Sequence, residues 1–143
     1  MKQLLDEYRG RVRLVVKFAP YPYRDHARLA ARAALAAAEQ GKFWEMHEAL
    51  LQNYRILNPG KIAELAAALG MDLERFGKGL ASETLARRVE DDAALARSLD
   101  LYQTPTFVIG PTGKTGRVVV GERPIEHLRR MLDEELAAAG GGP

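Results

Sequence analysis

The chain contains no cysteine. That removes disulfides, thiolate nucleophiles and cysteine-ligated metals from its chemistry. It does not fix a compartment, because a cytosolic protein and a cysteine-free secreted domain look alike on this count. No apolar run is long enough to span a bilayer. The opening Met1-Lys2-Gln3-Leu4-Leu5-Asp6-Glu7 lacks the apolar stretch of a signal peptide. Charge of one sign is scarce too. Lys and Arg number 21 against 19 Asp and Glu, a net charge of +2, and the signs alternate without a basic block. No nucleic-acid partner is expected from that balance. The three histidines have no ligand spacing, so no metal and no cofactor is expected.

What is present is an ordinary globular composition, 47% hydrophobic and 28% charged over 143 residues, enough for one domain with a core. Leu4, Leu5 and Tyr8 recur at helical spacing before Gly10, so residues 1–9 read as the back of a helix. Val12–Phe18 reads as a strand, nearly continuous in apolar character, ended by Pro20 and Pro22. An alanine-rich helix is predicted from Asp25 to Gln40, with Gly41 as its stop. Phe43, Met46, His47, Leu50, Leu51 and Tyr54 then share one helical face. Asn58-Pro59, Asp72 and Ser82 are starting caps for three further helices. The period then changes. Thr104–Ile109 and Gly116–Val120 read as strands around a Pro111-Thr112-Gly113-Lys114 turn. Pro124 opens a last helix, and Ala137–Pro143 reads as a fraying tail.

Candidate sites are few. His47 sits on an apolar helix face and reads as a packed core residue. His26 and His127 lie near helices without partners. Phe43 and Trp44 read as core packing. Arg87-Arg88 and Glu90-Asp91-Asp92 read as a solvated helix face. Thr112, Gly113 and Lys114 lack the glycine pattern and the following helix of a phosphate loop. No serine, histidine and aspartate arrangement can be inferred from residue order. No catalytic residue is therefore assigned.

Three stretches carry a resemblance. Gln40-Gly41-Lys42-Phe43-Trp44-Glu45-Met46-His47-Glu48-Ala49-Leu50, Thr104-Pro105-Thr106-Phe107 and Val120-Gly121-Glu122-Arg123-Pro124 occur in the order and spacing of the DsbA family of thioredoxin-like disulfide oxidoreductases. The resemblance covers nearly the whole chain. It implies an α/β fold, an incomplete thioredoxin-like fold with an inserted helical subdomain. Residues 1–24 and 101–139 would supply the thioredoxin frame and 25–100 the helical insert. It further implies a cis Pro105, and substrate-binding roles for Thr104, Pro105 and Gln103. The partner would be an extended peptide or protein segment paired with the Thr104 backbone.

The departures from the family bear on activity. The strand and Cys-x-x-Cys that open the family's domain are absent. Gln103 stands where the family has glycine, and Gly110-Pro111 replaces its Asn-Gly. Exchange chemistry needs a low-pKa thiolate at a helix N-terminus, so this chain by itself is expected to be inactive in disulfide exchange. A non-catalytic peptide- or protein-binding module is the alternative. A glutathione-dependent isomerase or transferase fragment of the kappa type fits less well. The family points to an extracytoplasmic location. The absent strand would lie between residues 12–18 and 104–110, leaving sticky strand edges. The sheet would close up, a second chain would fill the gap, or the fold would be marginal, and a homodimer through the open edge is favoured.

Overall fold

A computed structural model of the chain describes residues 1–24 and 26–140. Asp25, read as a helix start, and residues 141–143 lie outside the described residues. The elements run α1 (Lys2–Glu7), α2 (Ala27–Ala38), α3 (Phe43–Gln52), α4 (Pro59–Ala68), α5 (Leu73–Ala81), α6 (Glu83–Ser98), β1 (Thr106–Ile109), β2 (Arg117–Val120) and α7 (Ile125–Gly140). The chain divides into two compact units. One comprises Met1–Val16 and the chain from Asp100 onward, and the other Lys17–Leu99.

The unit Lys17–Leu99 is built around α2. Its Ala33, Ala34, Ala36 and Ala37 are almost fully buried, and their lack of bulk lets other helices come close. The closest approach is at Gly79 of α5, where a β-carbon would lie 2.8 Å from the Ala36 Cβ. Met46, Ile62, Ala66, Phe76, Leu85 and Val89 complete this core. The helix starts follow the caps read from sequence. The side chains of Asn58, Asp72 and Ser82 accept from the backbone N–H groups of Lys61, Arg75 and Leu85 respectively, quenching donors that a helix start leaves unpaired. Gln40 ties two helix ends together. Its Oε1 accepts from the Asp72 N–H at 2.9 Å, and its Nε2 donates to the Asp72 carbonyl at 3.1 Å.

The other unit packs α1 and α7 on one face of the β1–β2 hairpin. Leu4, Tyr8 and Leu128 are buried there, with Val12, Phe107, Ile109, Ile125, Leu132 and Leu136 packed against them. The Tyr8 hydroxyl donates to the Asp133 carboxylate at 2.6 Å, and Arg129 forks onto Glu7 at 2.8 and 3.0 Å. Burial, then the neighbouring carboxylate, pushes the Tyr8 phenol up from its ordinary range. The Arg129 hydrogen bond holds the Glu7 carboxyl below its ordinary value.

Several expectations are corrected. Val12–Phe18 is not a strand, since a strand exists only by pairing and this segment pairs with no other among the described residues. Its exposure alternates, with Arg13, Val15 and Lys17 outward, so it is not covered on both faces. Asp92 is not on a solvated face: it is only 4% exposed. It accepts from the Lys17 ammonium at 2.6 Å and from the Phe18 N–H at 3.2 Å. A buried carboxylate persists when donors of this kind replace its water. Glu90 is paired as well, with Arg28 at 2.6 Å. Leu51 and Tyr54 are exposed: Leu51 lies about 100° around α3 from the buried Leu50, and Tyr54 lies beyond the helix end at Gln52. Trp44 is 47% exposed rather than core. The last helix continues through Ala137–Gly140 instead of fraying.

Candidate functional site

β1 and β2 form an antiparallel hairpin in the register Thr106↔Val120, Phe107↔Val119, Val108↔Val118 and Ile109↔Arg117. Gly110 and Gly116 sit where any β-carbon would strike backbone, 2.7 Å from Gly116 Cα for the first and 3.0 Å from the Ile109 carbonyl oxygen for the second. A side chain at Gly110 would push the strands apart, and one at Gly116 would displace the Val108 side chain, which lies 2.8 Å from the added β-carbon. Alternation then sorts the side chains. Phe107, Ile109 and Val119 face the α1–α7 cluster, while Thr106, Val108, Val118 and Val120 share the outer face. Val108, Val118 and Val120 are 58%, 54% and 39% exposed there.

The same alternation sorts the backbone. The Gly121 N–H donates to the Pro105 carbonyl at 2.8 Å, and those residues continue the hairpin register by one step. Pro105, Phe107 and Ile109 therefore direct their backbone groups toward β2. Thr106 and Val108 direct theirs toward the opposite edge, where no strand pairs among the described residues. Proline has no N–H to give, and here that gap falls on the β2 side, leaving the opposite edge uninterrupted.

On the outer face, at the Thr106–Val120 end of the hairpin, lies a shallow pocket of about 230 Å³ lined by Asp100, Leu101, Tyr102, Gln103, Thr106 and Val120. Two contacts shape it. The Thr106 hydroxyl donates to the Gln103 carbonyl at 2.6 Å. The Tyr102 hydroxyl donates to the Asp100 carboxylate at 3.0 Å, a contact that pushes the phenol up from its ordinary value. Asp100 has φ +54°, a left-handed conformation that aspartate tolerates better than most residues.

Of the residues singled out from sequence, Gln103, Thr104 and Pro105 are consecutive and exposed. The Thr104–Pro105 bond is cis. Only Gln103 of the three lines the pocket. Sequence reasoning passed over Asp100, Tyr102 and Val120. The exposed aromatic beside the Gln103-Thr104-Pro105 run was the signal for Tyr102, whereas Asp100 and Val120 enter through backbone geometry and strand pairing. His47 is stacked on Phe43 with ring centroids 5.8 Å apart, and burial holds its imidazole below the ordinary value. His127 lies 3.2 Å from an Arg130 nitrogen. No cluster of three His, Asp or Glu residues able to hold a metal occurs among the described residues.

Two curated relatives are named Na(+)/H(+) antiporters. NhaA 3 of Salinispora tropica is 37% identical over 143 residues, covering 97% of this chain and 21% of the relative. NhaA 1 of Salinispora arenicola is 36% identical over 141 residues, covering 96% and 20%. The chain thus spans about a fifth of the length of these relatives. Among the described residues, no helix is long and apolar enough to cross a membrane. A solved thioredoxin-like oxidoreductase from Silicibacter pomeroyi superposes with a TM-score of 0.75 at 28% identity, over 93% of this chain and 73% of that one. The model of the DSBA-like thioredoxin domain matches residues 1–133. The fold is thioredoxin-like α/β with inserted helices and free of cysteine, and the chain belongs to the DSBA-like thioredoxin domain family.

Proposed function

We propose that this chain is a redox-inert DsbA-like module that holds an extended peptide or protein segment along the free edge of β1. The observation that carries this reading is the direction of the Thr106 and Val108 backbone groups, away from β2 and beside the Gln103 pocket. An added segment would gain main-chain hydrogen bonds from these groups, and the pocket would take one of its side chains. Gln103, Thr104 and Pro105 would form the end of the groove. Residues 1–24 and 101–139 would serve as the thioredoxin frame, and 25–100 as the insert. Thiol–disulfide exchange requires an attacking thiolate, and these 143 residues hold no thiol to form one.

The test has two arms. A fluorescently labelled extended apolar peptide should give a saturable rise in anisotropy, weakened by Val108→Pro, which deletes an edge donor without touching the β1–β2 ladder. In parallel, insulin reduction by dithiothreitol should run at the blank rate in the presence of the protein. Absence of saturable binding by the monomeric protein refutes the binding role, and turnover above the blank refutes redox inertness. The length of the relatives favours one second reading. In a longer polypeptide that supplied the strand and Cys-x-x-Cys, that strand would cover the β1 edge and the Gln103-Thr104-Pro105 turn would present substrate to those cysteines, and a fusion restoring both should then show exchange activity.

A further inference from the structure

We infer that the partner of the β1 edge is a second copy of this chain, paired β1 to β1 in antiparallel fashion across a two-fold axis at Phe107. This rests on the reading that the edge accepts a strand, and names which strand. The surroundings set a demand. A strand laid beside β1 has Phe107 and Ile109 next to one face and the exposed Val108 next to the other, so it must be apolar on both faces. β1 itself, Thr106-Phe107-Val108-Ile109, carries no charge and meets that demand, whereas β2 carries Arg117, whose guanidinium is held by Glu134 and Glu135.

The register is self-complementary. With Phe107 on the axis, Thr106 lies opposite Val108 of the second copy, and Val108 opposite Thr106. These are the two residues whose N–H and C=O groups point outward. Each such pair exchanges two bonds in an antiparallel ladder, so the contact forms about four main-chain hydrogen bonds. Natural edges resist this pairing with charge or proline, and neither defence operates here. From Leu101 to Gly113 the chain carries no charged residue, so the axis brings no like charges together. The donor that Pro105 lacks belongs to the β2 side. The outer valines, Val108, Val118 and Val120, would become one apolar strip running across four strands.

Sedimentation velocity over a wide concentration series should show the 15.8 kDa chain converting to a species of twice that mass, and Val108→Pro should abolish the conversion. The cysteine-free background permits a second readout independent of that variant's folding. Mixed Thr106→Cys and Val108→Cys proteins should form a heterodimeric disulfide, since directly opposed residues stand about 5.5 Å apart at Cα, within disulfide reach. Either variant alone puts its cysteines on the diagonal, about 7–8 Å apart, and should cross-link far less. A dimer that survives Val108→Pro, or a mixture that fails to cross-link, overturns the proposal. A chain that stays monomeric yet binds the labelled peptide overturns the second copy and leaves the strand-accepting edge intact. A monomer that binds no peptide sinks both.

Discussion

Replacing Asp92 by alanine tests how the segment after Val16 is held. The carboxylate is 4% exposed and satisfies two donors, the Lys17 ammonium at 2.6 Å and the Phe18 N–H at 3.2 Å. Their fates differ on truncation. The Phe18 N–H loses its acceptor in a half-buried position, at a cost of about 1–2 kcal/mol. The Lys17 side chain is 56% exposed, so its ammonium returns to water and its lost pairing adds no more than about 1 kcal/mol. The sum is about 1–3 kcal/mol, which for a chain of this length lowers the melting temperature by roughly 3–9 °C. Urea and thermal unfolding followed by circular dichroism at neutral pH give both quantities. Asp91→Ala, one residue away and exposed, is the control and should stay within about 0.5 kcal/mol of the parent. Asp92→Asn keeps an acceptor for Phe18 and should fall between. Should Asp92→Ala unfold within about 0.5 kcal/mol of the parent, the carboxylate is not an anchor and the reasoning fails.

Three further outcomes are expected. Gly79→Ala forces a β-carbon to 2.8 Å from Ala36 and should destabilise by about 1–3 kcal/mol. Gly77→Ala in the same helix meets nothing within 4 Å and should stabilise by about 0.5–1 kcal/mol, so the two melting shifts should have opposite signs. Gln40→Ala removes both bonds to the Asp72 backbone and, at this exposed site, should cost about 1 kcal/mol by urea titration. Burial lowers the His47 imidazole below its ordinary value of 6.5, so the unfolded chain takes up that proton first. The contribution is intact above pH 6.5 and is lost as the pH falls through the lowered folded-state value. His47→Gln should flatten that part of the melting temperature's pH profile.

Local chemistry was readable where one residue suffices to set it. Asn58, Asp72 and Ser82 announce helix starts because a short polar side chain reaches a nearby N–H without help from the rest of the fold. Gly41 and Gly70 mark helix ends by their positive φ. Val12–Phe18 misled because its residues favour an extended backbone, yet strand identity belongs to a pair. Asp92 could not be separated by spacing from its charged neighbours Glu90 and Asp91, and its burial depends on Lys17, 75 positions away. At the candidate site, Gln103, Thr104 and Pro105 were singled out through family likeness. Of these, Gln103 lines the pocket with Val120, whose place depends on the hairpin register.

The buried alanines of α2 have a consequence for the entropy of folding. Alanine has no rotamers to freeze, whereas an ordered long side chain gives up as much as about 2 kcal/mol of conformational freedom. Ala31, Ala33, Ala34, Ala36 and Ala37 are buried in the core of the Lys17–Leu99 unit, and these five positions order backbone but no side-chain rotamers. The same economy removes its tolerance. A buried leucine can re-pack around an added methyl group by changing rotamer, but a face of methyls packed on a glycine has no torsion left to adjust.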